Sequence, residues 1–129
     1  MRPKPEAPYW VVLEGADGSW KTSVATHLLT LLPNAVMLKE GDVVASSHEG
    51  ATPQWLWLPQ RYKVYRTALL CIQRGLTVVQ DRSFLSGIAY ADDDDIRRFI
   101  WEAQMGAYAI GSLLVKKHQP DLYVVLFHD

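Results

Sequence analysis

Residues 9–32 read YWVVLEGADGSWKTSVATHLLTLL, and the three-part rhythm of this stretch decides the fold. Tyr9 to Leu13 is aromatic and β-branched, which suits a buried strand. From Lys21 the apolar residues Val24, Ala25, Leu28, Leu29, Leu31 and Leu32 recur at helical spacing. Between strand and helix, Gly15 to Thr22 forms a polar turn containing two glycines.

The same alternation runs outward through the chain. Pro33-Asn34 stops the first helix, because proline cannot continue it. Ala35 to Leu38 reads as a second strand, and Gly41 to Pro53, small and polar, as a loop. Apolar positions from Gln60 to Arg74 predict a helix ending at Gly75, a natural C-cap. Leu76 to Gln80 is the most β-branched strand, with Asp81-Arg82-Ser83 at its carboxyl end. A short helix over Phe84 to Ala91 follows. The four aspartates Asp92 to Asp95 then lead into a helix from Ile96 to His118, where acidic residues suit a helix N-terminus. Pro120-Asp121 breaks that helix before a last strand, Leu122 to Phe127.

Strands alternating with helices predict an α/β fold: a three-layer parallel sheet of about four strands with helices on both faces. Residues 1–8 read as a flexible leader and residues 9–129 as one domain. Ligands of such sheets bind at the carboxyl ends of the strands, where both the Gly15–Thr22 turn and Asp81-Arg82 fall.

The turn carries most of a phosphate-binding pattern: Gly, four residues, then Gly-Lys-Ser/Thr. Gly15, Lys21 and Thr22 fit it, while Trp20 stands where the second glycine belongs. Backbone N–H groups from Gly15 through Gly18, Ser19 and Trp20 to Ser23 would face phosphates, with the helix dipole favouring negative charge there. Lys21 would reach the terminal phosphates and the Thr22 hydroxyl would hold Mg²⁺. A glycine before the lysine keeps any Cβ out of the way, so Trp20 is the main departure.

Composition narrows the function classes. At 129 residues, 49% hydrophobic, with 13 basic and 14 acidic residues, the chain is an ordinary globular domain. Its net charge of −1 gives no bulk electrostatic pull toward nucleic acid or membrane surface. One cysteine, Cys71, excludes an internal disulfide framework and fits a reducing cytoplasm; in its apolar stretch it reads as a buried small hydrophobe. No apolar run approaches the ~20 residues that span a bilayer. Trp10, Trp55, Trp57 and Trp101 read as core residues. The histidines are too scattered for metal-ligand spacing.

Asp81-Arg82, Ser86 and Ala89-Tyr90, in that order and spacing, resemble the motif after the third strand of thymidylate kinases. Val11 to Gly18 resembles that family's opening strand and loop, and Pro120-Asp121-Leu122 its later Pro-Asp-Leu strand. The resemblance implies ATP as phosphoryl donor with Mg²⁺, and thymidylate as acceptor. It implies that Lys21, Asp81 and Arg82 are catalytic, with Thr22 and Asp81 at the metal. Asp17 would meet the acceptor sugar, Ser86 and Tyr90 would line the acceptor pocket, and Lys39 stands where the family has a phosphate-binding arginine. The family's acceptor-facing arginine counts back from Gly75 to Gln60, so Arg61, one residue on, takes that role, with Arg66 behind it. The family's arginine-rich lid follows its Pro-Asp-Leu strand. The expectation here is a chain incomplete at that end, with a sheet edge that invites a homodimer. A deoxynucleoside kinase and a catalytically silent scaffold that binds a nucleotide or a protein partner are the other readings, the second resting on Trp20 and the lid.

Overall fold

A computed structural model describes residues 8–15, 20–39, 54–91 and 93–126. The leader, the turn residues Ala16 to Ser19, the Gly41 to Pro53 loop and Asp92 lie outside them, wholly or, for the leader, up to residue 7.

Four strands form one sheet: β1 (Trp10–Gly15), β2 (Ala35–Lys39), β3 (Thr77–Asp81) and β4 (Leu122–Leu126). Their spatial order is β2-β3-β1-β4, and every pairing is parallel. The helices between them are α1 (Lys21–Leu31), α2 (Leu58–Gln73), α3 (Phe84–Tyr90) and α4 (Asp94–Leu114). A 3₁₀ turn, Gln54–Trp57, runs directly into α2. Pro59 therefore sits in the first turn of α2, where its missing N–H costs nothing. Gly75 adopts φ 81° just past that helix. Its N–H reaches Ile72 and that of Leu76 reaches Cys71, the paired bonds of a Schellman stop.

The strands alternate inward faces. Trp10, Val12 and Val78 pack against Tyr65, Ala68, Leu69 and Ile72 of α2, Phe84 of α3, and Ile100, Ala107 and Tyr108 of α4. Val11, Leu13 and Val79 pack on the other face against Ala25 and its helical neighbours in α1. The three-layer α/β architecture expected from the sequence is the one observed.

Some boundaries differ for local reasons. α4 ends at Leu114 rather than His118, because Val115 turns extended while its N–H still bonds Gly111. Asp93 is the cap of α4, accepting from Ile96 N at 2.8 Å. Arg97 pairs with Asp94 and donates to the carbonyls of Ile88 and Ala91, which ties the end of α3 to the start of α4. Cys71 is partly rather than fully buried. Trp10 is core, as expected, but Trp55 and Trp101 stand half exposed at the surface.

A ring cluster joins the helices to the sheet. Tyr65 stacks on Trp10 at 5.8 Å between centroids and touches Phe84 and Tyr108. Its hydroxyl donates to the His118 carbonyl at 2.7 Å. Burial, then the nearby Tyr62 and Tyr123 phenols, push the Tyr65 phenol up to about 12. Burial first, then its bond to Tyr123, also raises the Tyr108 phenol. Both phenols keep protons in the folded state that the unfolded chain releases near pH ~10. Their stabilisation is therefore complete below about pH 10 and is lost as pH climbs toward Tyr65's folded value. The urea midpoint should fall between about pH 10 and 12, and Tyr65→Phe should make that fall shallower. A flat midpoint across this window would show that the cluster does not couple to stability.

Candidate functional site

The strand order creates a crevice between β1 and β3. The connection from β1 leads to β2, beyond β3, while the connection from β3 leads to β4, beyond β1. At their carboxyl ends the chain therefore departs in opposite directions, the place where open parallel sheets bind ligands. Leu13 and Lys39 both pair in register with Asp81, so the ends of all three strands reach one level.

Lys21 is the first residue of α1 and is 8% exposed. Its Nζ lies 3.0 Å from Asp81 Oδ1 across the crevice. That oxygen is buried and, among the described residues, accepts no hydrogen bond of good geometry. The two charges meet there without a hydrogen bond of good geometry. Asp81 thus keeps acceptor capacity for another cation. The Thr22 hydroxyl, next along α1, is exposed. A carboxylate and a hydroxyl are hard oxygen donors, which suit Mg²⁺ held mostly by phosphates and waters. Among the described residues, no group of three acidic, histidine or cysteine side chains is placed to hold a metal ion by itself.

Two residues at this edge hold left-handed backbone. Arg82 has φ 68° and Trp20 has φ 67°. The Arg82 conformation is clamped from both sides: its N–H donates to Leu13 O at 2.9 Å, and its carbonyl accepts from Gln80 Nε2 at 2.9 Å. Gln80 is itself fixed by the buried Trp10 Nε1 at 2.9 Å. Such strain persists only where surroundings over-determine it, and it clusters at functional turns.

Trp20 explains the departure in the turn pattern. The position requires φ > 0, which glycine meets freely and tryptophan meets at about 1–2 kcal/mol. The fold holds the glycine conformation anyway: Trp20 O caps α1 by accepting from Val24 N at 2.9 Å. The indole is 72% exposed and makes no capping bond. Trp20→Gly should therefore raise stability by about 0.5–1 kcal/mol after the greater entropy of unfolded glycine is deducted. Thermal melting checks this; an unchanged or lower midpoint would mean that the indole packs more than its exposure indicates.

The remaining candidates divide. Arg61 is 2% exposed on the inner face of α2, its guanidinium 5.8 Å from the Trp57 ring centre. Its Nη1 fills the space beside Gly87 on α3, 2.8 Å from where a Cβ would stand. Arg66 lies on the outer face, in the wall of a mostly apolar groove of about 780 Å³ with Trp55, Tyr62, Leu70 and Phe99. Arg61 is the arginine that faces α3. Ser86 is 1% exposed and gives its hydroxyl to Glu14, so it supports the site from beneath instead of facing open space. Tyr90 closes α3 and is 45% exposed. Gly15 ends β1 and Ser23 is exposed on the first turn of α1. Asp17, Gly18 and Ser19 lie outside the described residues.

Glu14 was not singled out from sequence. It is 5% exposed and accepts from Ser83 N at 2.8 Å, Ser83 Oγ at 2.6 Å and Ser86 Oγ. The available signal was the three-residue spacing of two serines at a helix start, which places both hydroxyls on one side.

The fold as a whole matches solved structures. Thymidylate kinase from Candida albicans superimposes with a TM-score of 0.66 at 17% identity, covering 95% of this chain and 64% of that one. Thymidylate kinase from Ehrlichia chaffeensis gives 0.66 at 18%, covering 96% and 78%. The chain shares its fold with these two enzymes. A chain of the Pnkp1/Rnl/Hen1 complex matches less closely, at a TM-score of 0.55 and 14% identity over 38% of its length. The chain thus spans just under two thirds of the Candida albicans enzyme. No family model and no curated protein matches the sequence. No helix among the described residues is long and apolar enough to cross a membrane.

Proposed function

We propose that this chain transfers the terminal phosphoryl group of Mg·ATP to a nucleoside monophosphate, with thymidylate the first acceptor to test. The observation that carries the reading is the Lys21–Asp81 pair at the crevice, with its under-bonded Asp81 oxygen. In this reading Lys21 leaves Asp81 for the donor phosphates, and Asp81 turns to the metal side. Mg²⁺ supplies charge neutralisation when bound; Thr22 and Asp81 are the residues that would hold it. Arg82, at the strained end of β3, faces the transferring group, and its planar fork suits phosphate oxygens. Arg61 and Lys39 give positive charge on the acceptor side. Phosphoryl transfer asks mainly for positioning and charge, which such a set provides. A second copy of the chain is a further expectation of this reading. The nucleotide-binding scaffold remains the rival, favoured by Trp20.

The test is a titration with Mg·ATP followed by tryptophan emission, since Trp20 borders the loop, then a panel of monophosphates. A saturable change that disappears in Lys21→Met, followed by conversion of thymidylate, supports the transferase. Saturable binding without turnover of any monophosphate supports the scaffold. No binding by emission or calorimetry would overturn both.

A further inference from the structure

We infer that Glu14 is a positioning residue that locks the departure of the phosphate loop to the Asp81-Arg82-Ser83 turn; this rests on the transferase reading above. Glu14 precedes Gly15, the last residue of β1, so its backbone leads straight into the loop. Its carboxylate crosses to β3 and binds two groups of Ser83, the backbone N–H and the hydroxyl. It also takes the Ser86 hydroxyl one helical turn on. Both serines are almost fully buried, at 4% and 1% exposure, so water does not compete for these bonds. Ser83 Oγ also accepts from Leu85 N at 3.1 Å, so the same hydroxyl caps α3.

The geometry matters because of what Ser83 follows. Asp81, which meets Lys21, and Arg82, in its left-handed conformation, are held on two sides. Gln80 and Leu13 hold them from the strand side, and Ser83 holds them from the helix side. Glu14 is the group that ties the helix side back to β1. Lys21, on α1, and Asp81, on β3, keep their 3.0 Å relation only while the two strands and their loops stay in step. A hydrophobic residue at position 14 would fill the space but leave Ser83 N–H, a buried donor, without a partner. Glutamine keeps the volume, but its amide nitrogen must either displace the Ser83 N–H contact or turn the Ser86 hydroxyl from donor to acceptor, which loosens the link without emptying the space.

The experiment compares Glu14→Gln with the unaltered chain in three readouts. Steady-state kinetics should show kcat down about 100-fold, the scale of a misplacement near 1 Å, with KM for ATP moved less than about threefold. The melting midpoint should stay within a few degrees. Hydrogen exchange should quicken over residues 81–86 and remain slow over 64–72 in the α2 core. A double variant with Ser86→Ala should be less damaging than the two single effects multiplied, since both remove the same link. Equal loss of protection across α2 and a collapsed midpoint would make Glu14 a general stabiliser and overturn the proposal. Unchanged kcat with a quickened turn would overturn it as well. If the unaltered chain has no transferase activity, the function reading falls by itself. The exchange pattern then decides the Glu14 link: quickening confined to 81–86 upholds it, and no change at 81–86 ends it.

Discussion

Lys21→Met will reduce phosphoryl transfer by about 1,000-fold or more, because it removes the cation placed to meet charge that develops on the transferring group. The same change will cost about 1–3 kcal/mol of stability, since Asp81 Oδ1 is buried and Lys21 Nζ, at 3.0 Å, is its only described counter-charge. Asp81→Asn reverses the asymmetry: the lysine loses its partner but still reaches water at 8% exposure. The two substitutions combined should recover part of the stability that Lys21→Met loses, because neither leaves a lone buried charge. The double variant should remain inactive. Urea unfolding of the four chains supplies the cycle, and strictly additive costs would show that the pair contributes nothing as a pair.

Gly111→Ala is the second large effect. A Cβ there would press into Tyr65 Oη and stand 3.3 Å from Tyr65 Cζ and 3.4 Å from His118 Cβ. Tyr65 cannot yield, being stacked on Trp10 and wedged against Phe84 and Tyr108. Overpacking of about 1–3 kcal/mol adds to the loss of the Tyr65–His118 bond, against a helix-propensity gain of about 1 kcal/mol. The expected net loss is about 2–4 kcal/mol. Gly106, on the same helix, has nothing within 4 Å of its missing Cβ. Gly106→Ala should therefore stabilise by about 0.5–1 kcal/mol. Tyr65→Phe in the Gly111→Ala chain should restore much of the loss by removing the clashing oxygen. Two alanines on one helix that shift the midpoint in the same direction would refute this account.

The layers and strand identities were legible because β-branched runs and helical periodicities are local signals. Trp10 to Leu13, Thr77 to Gln80 and the α1 stripe each announce themselves without reference to the rest. Strand order was not legible: which strand flanks β1 depends on the packing of distant faces. At the site, Lys21 and Asp81 were readable from motif spacing and the structure brings them together. Arg61, chosen one residue beyond the gapless count, is also reachable by helical period. Gapless counting pointed to Gln60, but the inward set Val64, Tyr65, Ala68, Leu69 and Ile72 extends by helical period to Arg61. Ser86 and Tyr90 came from one motif, yet the helix turns the first inward and leaves the second exposed. Glu14 was invisible because a carboxylate after a strand looks solvated until its two serine partners, far along the chain, are in place. Trp20 read as an obstacle; the conformation shows that its backbone obeys the rule its side chain breaks.

The position of β1 also sets a schedule. It is an interior strand, yet it precedes the other three in the chain, and both its neighbours come much later. Tyr9 waits for Thr77, 68 residues on, and Trp10 waits for Asp121, 111 residues on. Asp121 closes the sheet twice, its carboxylate taking Trp10 N and its own N–H reaching Trp10 O. At about 5–20 residues per second of translation, the nascent chain carries an apolar strand with an open edge for roughly 5–20 s. No acceleration of the folding step itself can shorten that interval. The period in which this chain is most open to chaperones, or to another nascent strand, is timed by the ribosome.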